Sequence, residues 1–336
     1  MSKETILIAH GGGGEMTKKL IDEHIVPRLS NPLLDPLTDA AVMEVPRGKI
    51  CLATDASVVT PLFFPGGDIG RLAVSGTVND LAVMGADPQA LCVSLIIEEG
   101  LELAVLDRVL DSIAATAKEA GVPVAAGDTK VVERRGGDGL TISTAGVGVL
   151  PEGVDLSLRH IQEGDSIIVT GSIADHGLAV MSVREGLAFE TELLSDVTPL
   201  TTLARALRNV GAGVRFMRDP TRGGLAGVLV DICEETGLGV EVSEATIPLT
   251  LQARHAAEFL GLDPLHVANE GKLVVVCAKE QQEEVLAVCH ADAHGEQARV
   301  IGRTLAAAPP LVELCTSAGG RRIVRRAYGE ELPRIC

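Results

Sequence analysis

Apolar residues recur along this chain with two different spacings, which predict helices mixed with strands. Between Leu101 and Ala120 they fall at positions 103, 106, 109, 110, 113 and 117, the period of an amphipathic helix. Comparable patterns predict further helices at 16–29, 69–84, 174–187, 198–210, 223–236 and 280–290. Short apolar runs rich in β-branched residues predict strands at 41–45, 50–54, 56–59, 89–97, 123–126, 140–150, 166–170, 239–242 and 272–278.

These elements indicate how the chain divides into domains. Helices and mostly short strands are mixed, which predicts an α+β fold rather than a regular βαβ array. With 336 residues there is length for about two domains. We place the first at 1–150 and the second at 151–325, with the boundary at Pro151–Gly153. Residues 326–336 are predicted to form a mobile tail, because no core-forming periodicity follows Arg326.

Composition and charge narrow the class of protein. Hydrophobic residues make up 46% and charged residues 22% of the sequence, which is typical of globular proteins. A net charge of −17 argues against a nucleic-acid partner, which would need a basic surface, but it leaves room for nucleotides bridged by Mg²⁺. Seven scattered cysteines without a C-x-x-C pair favour a reducing compartment over a disulfide or zinc framework. Because the sequence lacks a signal-peptide pattern and any membrane-length apolar stretch, we expect a cytoplasmic protein.

Candidate chemistry comes from carboxylates at positions that resemble turns or helix starts. The phosphate-loop, Rossmann, H-E-x-x-H and G-x-S-x-G motifs are all missing, so phosphate binding would need another architecture. Carboxylates at strand ends could converge on Mg²⁺, a lysine could neutralise phosphate, and glycine-rich backbone could donate N–H groups to it. The residues that fit these roles are Asp39, Asp55, Asn79, Asp80, Asp128, Lys130, Asp219, Glu270, Gly11, Gly12, Gly13 and Gly14.

Most of these residues also have a purely structural interpretation. A single Asp after a strand commonly caps a turn, and Asp219 in D-P-T-R-G-G could be an ordinary N-cap. The four glycines could be a plain loop, and taken alone His176 favours a structural role and Cys336 an incidental one. Asp80 is harder to explain structurally, because an unpaired charge on an apolar helix is costly. The individual residues therefore leave both interpretations open.

The order of the motifs along the chain favours the functional interpretation. The segments are HGGGGEM near the start, TDASVVTPLFFPGGDIG at 54–70, GTVNDLAVMGADP at 76–88, GDTKVV at 127–132, DHG at 175–177, RDPTRGG at 218–224, NEGKLVV at 269–275 and PRIC at the end. Over essentially the whole chain this set resembles the HypE family of hydrogenase-maturation proteins, within the superfamily of aminoimidazole-ribotide synthetase, selenophosphate synthetase and thiamine-monophosphate kinase. The resemblance implies the two-domain α+β architecture of that superfamily, with a flexible C-terminal tail.

The resemblance also implies a reaction and a role for each candidate residue. Such proteins use ATP to dehydrate a carbamoyl group on the terminal cysteine to a thiocyanate, which supplies the cyanide ligands of nickel–iron hydrogenase. By matching motifs, Cys336 would carry the group, Glu270 would be the base, and the tail pocket would include Arg222 and His176. The residues that would hold Mg²⁺ are Asp55, Asp80, Asp219 and Asp39. Those that would bind ATP are Gly11, Gly12, Gly13, Gly14, Asn79, Asp128 and Lys130.

Partners are implied in the same way. A carbamoyltransferase would load Cys336, and an iron-carrying scaffold complex of two other maturation proteins, of the HypC–HypD type, would receive the cyanide. Such proteins usually form homodimers through the N-terminal domain. The residues from Arg326 to Cys336 could span roughly 33–36 Å when extended, so the thiol could reach this protein's own site or a partner. The five arginines between 321 and 334 could bind phosphates, dock a partner, or form a solvated basic end.

Three rival functions stay open on the sequence. A selenophosphate synthetase would be expected to carry a reactive Cys or selenocysteine in the N-terminal glycine loop, where this chain has His10 followed by glycines. A thiamine-monophosphate kinase has no use for a terminal Cys. A non-catalytic thiol carrier would leave the carboxylates, Lys130 and Glu270 without a role.

Overall fold

The computed structural model describes residues 4–11, 15–35, 37, 41, 43–44, 46, 49–134, 139–187, 193–307, 309–327 and 335–336. Numbered in chain order, its strands are β1 (Lys49–Ser57), β2 (Phe63–Phe64), β3 (Gly67–Asp68), β4 (Asp87–Glu98), β5 (Val124–Val132), β6 (Leu140–Leu150), β7 (Ser166–Val169), β8 (Val214–Arg218), β9 (Gly239–Ser243), β10 (Val274–Cys277), β11 (Arg299–Leu305), β12 (Val312–Cys315) and β13 (Arg321–Val324).

Helices lie between and beside these strands. The α-helices are α1 (Glu15–Leu20), α2 (Val26–Leu29), α3 (Ile69–Val83), α4 (Leu103–Ala120), α5 (Asp175–Arg184), α6 (Thr201–Arg208), α7 (Gly224–Thr236), α8 (Leu251–Leu260) and α9 (Gln282–His290). Shorter helical turns lie at Ile8–Gly11, Ile21–Ile25, Leu158–His160, Glu244–Thr246, Pro264–His266 and Lys279–Gln281. None of the described helices is both long enough and apolar enough to cross a membrane.

The first sheet has the strand order β1-β6-β4-β5 and carries its helices on one face. The Asp68 carboxylate begins α3 by accepting hydrogen bonds from the N–H groups of Gly70 and Arg71. Gly76 lets this helix approach the sheet closely, since a Cβ there would lie 2.5 Å from Oδ2 of Asp55 in β1. The other face of the sheet has no described helix packed on it and exposes apolar side chains, among them Leu52.

The second sheet has the order β13-β12-β9-β11-β7-β10-β8 and is antiparallel except where β12 pairs with β9. Its central strands β7 and β10 are buried along their whole length. Helix α7 packs its apolar side chains, such as Leu225 and Leu229, into the core of this sheet. The two sheets and their helices confirm the predicted α+β architecture.

Most of the predicted elements are present, and the differences have local causes. The two short runs at 50–54 and 56–59 form one strand, β1, because Asp55 lies within the strand instead of after it. Asp128 and Lys130 likewise lie within β5 and not in a turn. The sequence patterns did not predict β8, α8 or the last three strands, which are short or carry several charged residues. The strand predicted at 41–45 is wrong where it can be checked, because Ala41, Met43 and Glu44 lie in no strand; positions 42 and 45 lie outside the described residues.

Polar side chains of α3 fasten the first domain to the second. The Asn79 amide donates to the carbonyl of Thr198 at 3.0 Å, and its oxygen accepts the N–H of Leu200 at 2.7 Å. Arg71 reaches the same segment through the Val197 carbonyl at 2.7 Å. Asn79 is fully buried, and the N–H and oxygen of its amide are both used in hydrogen bonds between the domains. Its assignment to ATP stays a prediction without a supporting contact here.

Candidate active site

Four carboxyl groups that are distant in sequence lie within electrostatic range of one another where the domains meet. They are Asp55 in β1, Asp80 in α3, Asp219 directly after β8, and Glu270 shortly before β10. Arg218 and Arg222 are the cations whose charges act on this group. The structure therefore brings together three of the four predicted magnesium ligands and the predicted base. The fourth predicted ligand, Asp39, lies outside the described residues.

Burial and mutual repulsion raise the pKa values of these acids. Burial, followed by the negative charge of Asp55, raises the pKa of Asp80 to about 6. Burial and the charge of Asp80 raise the pKa of Asp219 to about 7. Burial, reinforced by the surrounding carboxylates, raises the pKa of Glu270 well above its ordinary value. With pKa values of about 6 and about 7, Asp80 and Asp219 change their protonation near neutral pH.

The acidic group suits a divalent cation in its chemistry but does not form a ready-made cage. Among the described residues, no three His, Cys, Asp or Glu side chains are arranged to hold a metal ion. Mg²⁺ commonly takes only one or two carboxylates and completes its shell with phosphate oxygens and water. The repulsion that raises the pKa values of Asp80 and Asp219 is what a bound cation would relieve. The donor set therefore fits Mg²⁺ that arrives together with a phosphate ligand.

The Cys336 thiol lies beside this acidic group. Burial, followed by the charge of Glu270, raises the pKa of the thiol to about 12, while Arg222 hydrogen-bonds to it and opposes the shift. The Arg222 guanidinium also lies 3.6 Å from the Asp55 carboxylate. The Cys336 carbonyl oxygen accepts a 3.4 Å hydrogen bond from Val58 N–H. The thiol, the predicted base and Arg222 are thus brought together.

His176 holds the residue before the thiol. Its Nε2 donates to the carbonyl of Ile335 at 2.6 Å, so its Nδ1 accepts from the hydroxyl of Ser195 at 2.8 Å. Burial lowers the pKa of His176, which favours this neutral form. The Ile335 side chain is 5% exposed and packs in a core cluster to which both domains contribute, beside Gly177 of α5. His176 therefore contacts the tail backbone, where the resemblance placed it.

Asp128 and Lys130 lie away from the acidic group. Strand β5 is at the opposite edge of the sheet from β1, which carries Asp55. Asp55 lies against Gly76 on the helix-covered face, whereas Asp128 and Lys130 are exposed. Within one chain the structure does not join these two residues to the carboxylates. Of the glycine loop, Gly11 ends a helical turn, and Gly12, Gly13 and Gly14 lie outside the described residues.

Comparisons with known proteins identify the family of this chain. The family "AIR synthase related protein" matches through its N-terminal domain at residues 37–150 and its C-terminal domain at residues 162–309. Carbamoyl dehydratase HypE of Azotobacter vinelandii is 47% identical over 332 residues, which cover 99% of this chain and 97% of that protein. The chain belongs to the HypE family.

Solved structures of HypE proteins have the same fold. The crystal structure of the hydrogenase maturation protein HypE in complex with ATP is 40% identical, has a TM-score of 0.95, and the match covers 99% of this chain and 100% of that one. A HypE in a crystallised HypE–HypF complex is 44% identical with a TM-score of 0.80, covering 92% and 99% of the two chains. The predicted superfamily architecture is thereby confirmed for this HypE-family chain.

Several residues at the site were not singled out from the sequence. Asp196 and Lys272 lie behind Glu270 and form an ion pair at 3.4 Å. Asp175 accepts a hydrogen bond from the Ser172 hydroxyl, and burial raises its pKa to about 6. Lys272 stands in the quoted segment NEGKLVV, but Asp196 gave no signal beyond that of an ordinary polar residue before a helix.

The arginines before the tail are paired within the chain. Arg321 binds Glu241 and Glu313, and Arg322 binds Asp263 at 2.8 Å. Arg326, whose side chain is about half exposed, binds Asp231 and Glu234 of α7. Arg321, Arg322 and Arg326 thus pair with carboxylates of the second domain, and their contact with phosphates or a partner stays a prediction.

Proposed function

We propose that this protein uses ATP to dehydrate a carbamoyl group carried on its own Cys336 to a thiocyanate. The observation that carries the proposal is the position of the Cys336 thiol, close enough to Glu270 for that carboxyl group to raise the pKa of the thiol. A carbamoyl group on this sulfur would extend into the acidic group. Family membership supports the proposal, since relatives are named carbamoyl dehydratase HypE.

The chemistry needs phosphate activation followed by loss of two protons. The carboxamide oxygen attacks the γ-phosphorus of ATP, the bond to ADP breaks, and one N–H proton leaves. The resulting O-phosphorylated imidate stays joined to sulfur. Removal of the second N–H proton lets that electron pair form the third carbon–nitrogen bond while the carbon–oxygen bond breaks and phosphate departs. The products are ADP, phosphate and a sulfur-bound cyano group.

Glu270 is the residue placed to take these protons. It is fully buried, and no described group donates a hydrogen bond to its Oε1 atom. Its raised pKa makes it a stronger base than an ordinary carboxylate once it is ionised. Arg222 can hydrogen-bond the group on Cys336, because it already hydrogen-bonds the free thiol.

Asp55, Asp80 and Asp219 would hold Mg²⁺ together with the phosphates of ATP. When bound, Mg²⁺ would neutralise charge on the phosphate oxygens during transfer. A related HypE has been crystallised with ATP, which supports nucleotide binding by this fold. The role of the Gly11–Gly14 segment toward ATP stays a prediction.

Loading of Cys336 requires the thiol outside this pocket. With a pKa of about 12 the inserted thiol is almost entirely protonated, whereas the thiolate is the nucleophile. A solvated thiol has a pKa of about 8.5 and is far more reactive. We therefore expect a carbamoyltransferase to act on the withdrawn tail. A related HypE forms a crystallised complex with HypF, which supports a partner protein for this step.

The rival functions account for less of the site. A non-catalytic thiol carrier would not need a buried, hydrogen-bond-deficient Glu270 beside its thiol. A selenophosphate synthetase or a thiamine-monophosphate kinase would leave the insertion of Ile335 and Cys336 unexplained. Delivery of cyanide to an iron-carrying scaffold of two maturation proteins, and a cytoplasmic location, stay predictions.

Mass spectrometry of the peptide that contains Cys336 tests the proposal. After incubation with a carbamoyltransferase and its carbamoyl donor, we expect this peptide to gain the mass of a carbamoyl group. Addition of Mg²⁺ and ATP should then remove the mass of one water, and the non-hydrolysable analogue of ATP should not. The Cys336→Ser variant is the negative control. A carbamoylated wild-type chain that keeps its water in the presence of Mg–ATP would contradict the proposal.

We also propose that the exposed face of the first sheet forms a homodimer. The apolar side chains Ile50, Leu52 and Ile96 are 60%, 77% and 40% exposed on strands β1 and β4. Apolar surface exposed on a sheet face that no described helix covers favours an interaction site. Asp128 and Lys130 of β5 lie on the same exposed face, where Lys130 is in register with Ile96, so a second copy would bring these two residues to the interface. The predicted contacts of Asp128 and Lys130 with ATP would then form only in the dimer.

Leu52→Glu should weaken this dimer, because a charge would be buried against an apolar surface. We expect sedimentation equilibrium to give about half the wild-type mass at micromolar concentration. Phe259→Glu is the matched control: Phe259 is 72% exposed but lies on α8 in the second domain. A Leu52→Glu chain with the wild-type mass, or loss of mass in both variants alike, would count against this surface.

A further inference from the structure

The Asp196 carboxylate accepts hydrogen bonds from the backbone at Glu270. Its Oδ1 atom accepts the N–H of Glu270 at 3.1 Å, and its Oδ2 atom accepts the N–H of Gly271 at 3.1 Å. The side chain is 3% exposed, and Lys272 lies 3.4 Å from Oδ2. A single buried carboxylate thus holds two successive peptide groups, and hydrogen bonds to a charged acceptor are the stronger kind.

Neighbouring backbone also contacts the Glu270–Gly271 peptide. Thr198 N–H donates to the carbonyl of Glu270 at 3.3 Å, from the segment that also contains Asp196. A Cβ at Gly271 would lie 1.8 Å from the carbonyl oxygen of Asp196, so only glycine permits this approach. A Cβ at Gly171 would lie 2.8 Å from Cε of Lys272, so glycine there makes room for the lysine. Both glycines therefore allow Asp196 and Lys272 to pack closely beside the Glu270–Gly271 peptide.

The Glu270 carboxyl group itself is not held in this way. No described group donates a hydrogen bond to its Oε1 atom, although the side chain is buried. The direction in which the Glu270 carboxyl group points therefore depends on the position of the Glu270 backbone. A base must lie within hydrogen-bond reach of the proton that it removes, and misplacement by about 1 Å can cost a factor of about 100.

We propose that Asp196 is a positioning residue for the dehydration step, which fixes the Glu270–Gly271 peptide and so directs Glu270 at the group on Cys336, with Lys272 as its counter-ion. The inference rests on the proposed function. Lys272 also acts on Asp175, whose charge faces Asp196. Removal of the lysine would leave two carboxylates repelling each other behind the base.

The first test compares Asp196→Asn with a matched buried aspartate. In Asp196→Asn one oxygen can still accept an N–H, but the new NH₂ group cannot. Asp165→Asn is the control, because Asp165 is 5% exposed, accepts the N–H of Gln162 at 2.7 Å and lies 3.7 Å from Arg215, before β7 and away from the tail. Each substitution removes one buried carboxylate that accepts a hydrogen bond from backbone N–H and lies beside a cationic side chain.

We expect carbamoyl loading of Cys336 to be unchanged in both variants. In single-turnover experiments Asp196→Asn should lose water about 10- to 100-fold more slowly, with the KM for ATP changed less than about threefold. Asp165→Asn should dehydrate at the wild-type rate. Loss of the Asp196 charge would lower the pKa of Glu270 and favour the ionised base, so a slower reaction would reflect its position and not its protonation.

Two further measurements separate positioning from general stability. Amide hydrogen exchange at Glu270 and Gly271 should accelerate in Asp196→Asn but not in Asp165→Asn. Lys272→Gln should slow dehydration on its own, and adding it to Asp196→Asn should change little, because the lysine acts through the aspartate. Additive losses in the double variant would contradict the counter-ion role.

The outcomes distinguish this inference from the proposed function. A wild-type chain that is loaded but does not lose water overturns the proposed function, and the positioning role falls with it. A wild-type chain that dehydrates normally, beside an Asp196→Asn variant with the same rate, overturns the positioning role alone. Equal losses in Asp196→Asn and Asp165→Asn would also overturn it, since any buried aspartate would then have the same effect.

Discussion

Glu270→Gln should abolish dehydration while the tail is still loaded. We expect carbamoylated Cys336 to accumulate and the loss of water to slow by about 10²–10⁴-fold, the usual contribution of a general base. Gln has nearly the shape of a protonated Glu, so the buried site should accept it. Mass spectrometry of the Cys336 peptide, with and without Mg–ATP, measures both steps on one sample.

A second measurement on the Glu270→Gln variant checks that the site stays intact. Glu270 raises the pKa of the Cys336 thiol, so the neutral Gln should lower that pKa. The thiol of unloaded Glu270→Gln should therefore react with alkylating reagents at a lower pH than the wild-type thiol does. Wild-type dehydration in the variant would assign the base elsewhere. An unloaded Cys336 would instead indicate that the tail or its partner surface is disturbed.

Asp219→Asn should slow the reaction and stabilise the ligand-free protein at the same time. As a proposed Mg²⁺ ligand, Asp219 should be needed for dehydration, and we expect a loss of about 100-fold at fixed Mg²⁺ that higher Mg²⁺ partly restores. In the ligand-free protein, its pKa is about 7 instead of the ordinary 3.8, because the ionised form is buried beside Asp80. Ionisation of Asp219 therefore costs stability.

The direction of the pH dependence follows from proton binding. Between pH 4 and 7 the folded state binds more protons at Asp219 than the unfolded state does, so stability falls as pH rises through this range. Above pH 7 the full penalty is present. Asp219→Asn lacks it, so at pH 8 its free energy of unfolding should exceed the wild-type value by on the order of 2–4 kcal/mol.

Urea unfolding at pH 5 and pH 8 measures this effect. Without Mg²⁺ and ATP the difference between variant and wild type should be small at pH 5 and large at pH 8. With both ligands the wild type should gain stability by mass action and the variant should gain less. An Asp219→Asn protein that is less stable than wild type at pH 8 would show that the carboxylate is structural.

Local sequence patterns determined most of the regular elements of this protein, but not β8, α8 or the last three strands. The apolar positions of α4, and the β-branched runs of β4 and β6, place those elements within a few residues of their observed bounds. This is possible because helix and strand periods depend on neighbours in sequence. The chemistry of the sequence likewise singled out Asp80, since a charge on an apolar helix needs a reason, whereas the roles of Asp219 and Glu270 followed from the family resemblance.

Only the tertiary structure decided which of these residues meet. Asp196 lies 74 positions from Glu270, and His176 lies 159 positions from Ile335, yet each pair forms a hydrogen bond. No local period encodes such pairs, because they depend on strand order and on how the two domains pack. The same order places Asp128 and Lys130 at the opposite edge of the first sheet from Asp55, although both were predicted to bind the nucleotide.

The sequence by itself therefore determined most of the elements, the two α+β domains and the kinds of group that carry chemistry. The tertiary structure decided that Asn79 joins the domains, that Asp196 holds the base, and that Cys336 lies beside Glu270. The physical reason is that propensity and side-chain period act over a few residues, whereas burial, charge and hydrogen bonding at a site act over ångströms between segments far apart in the chain.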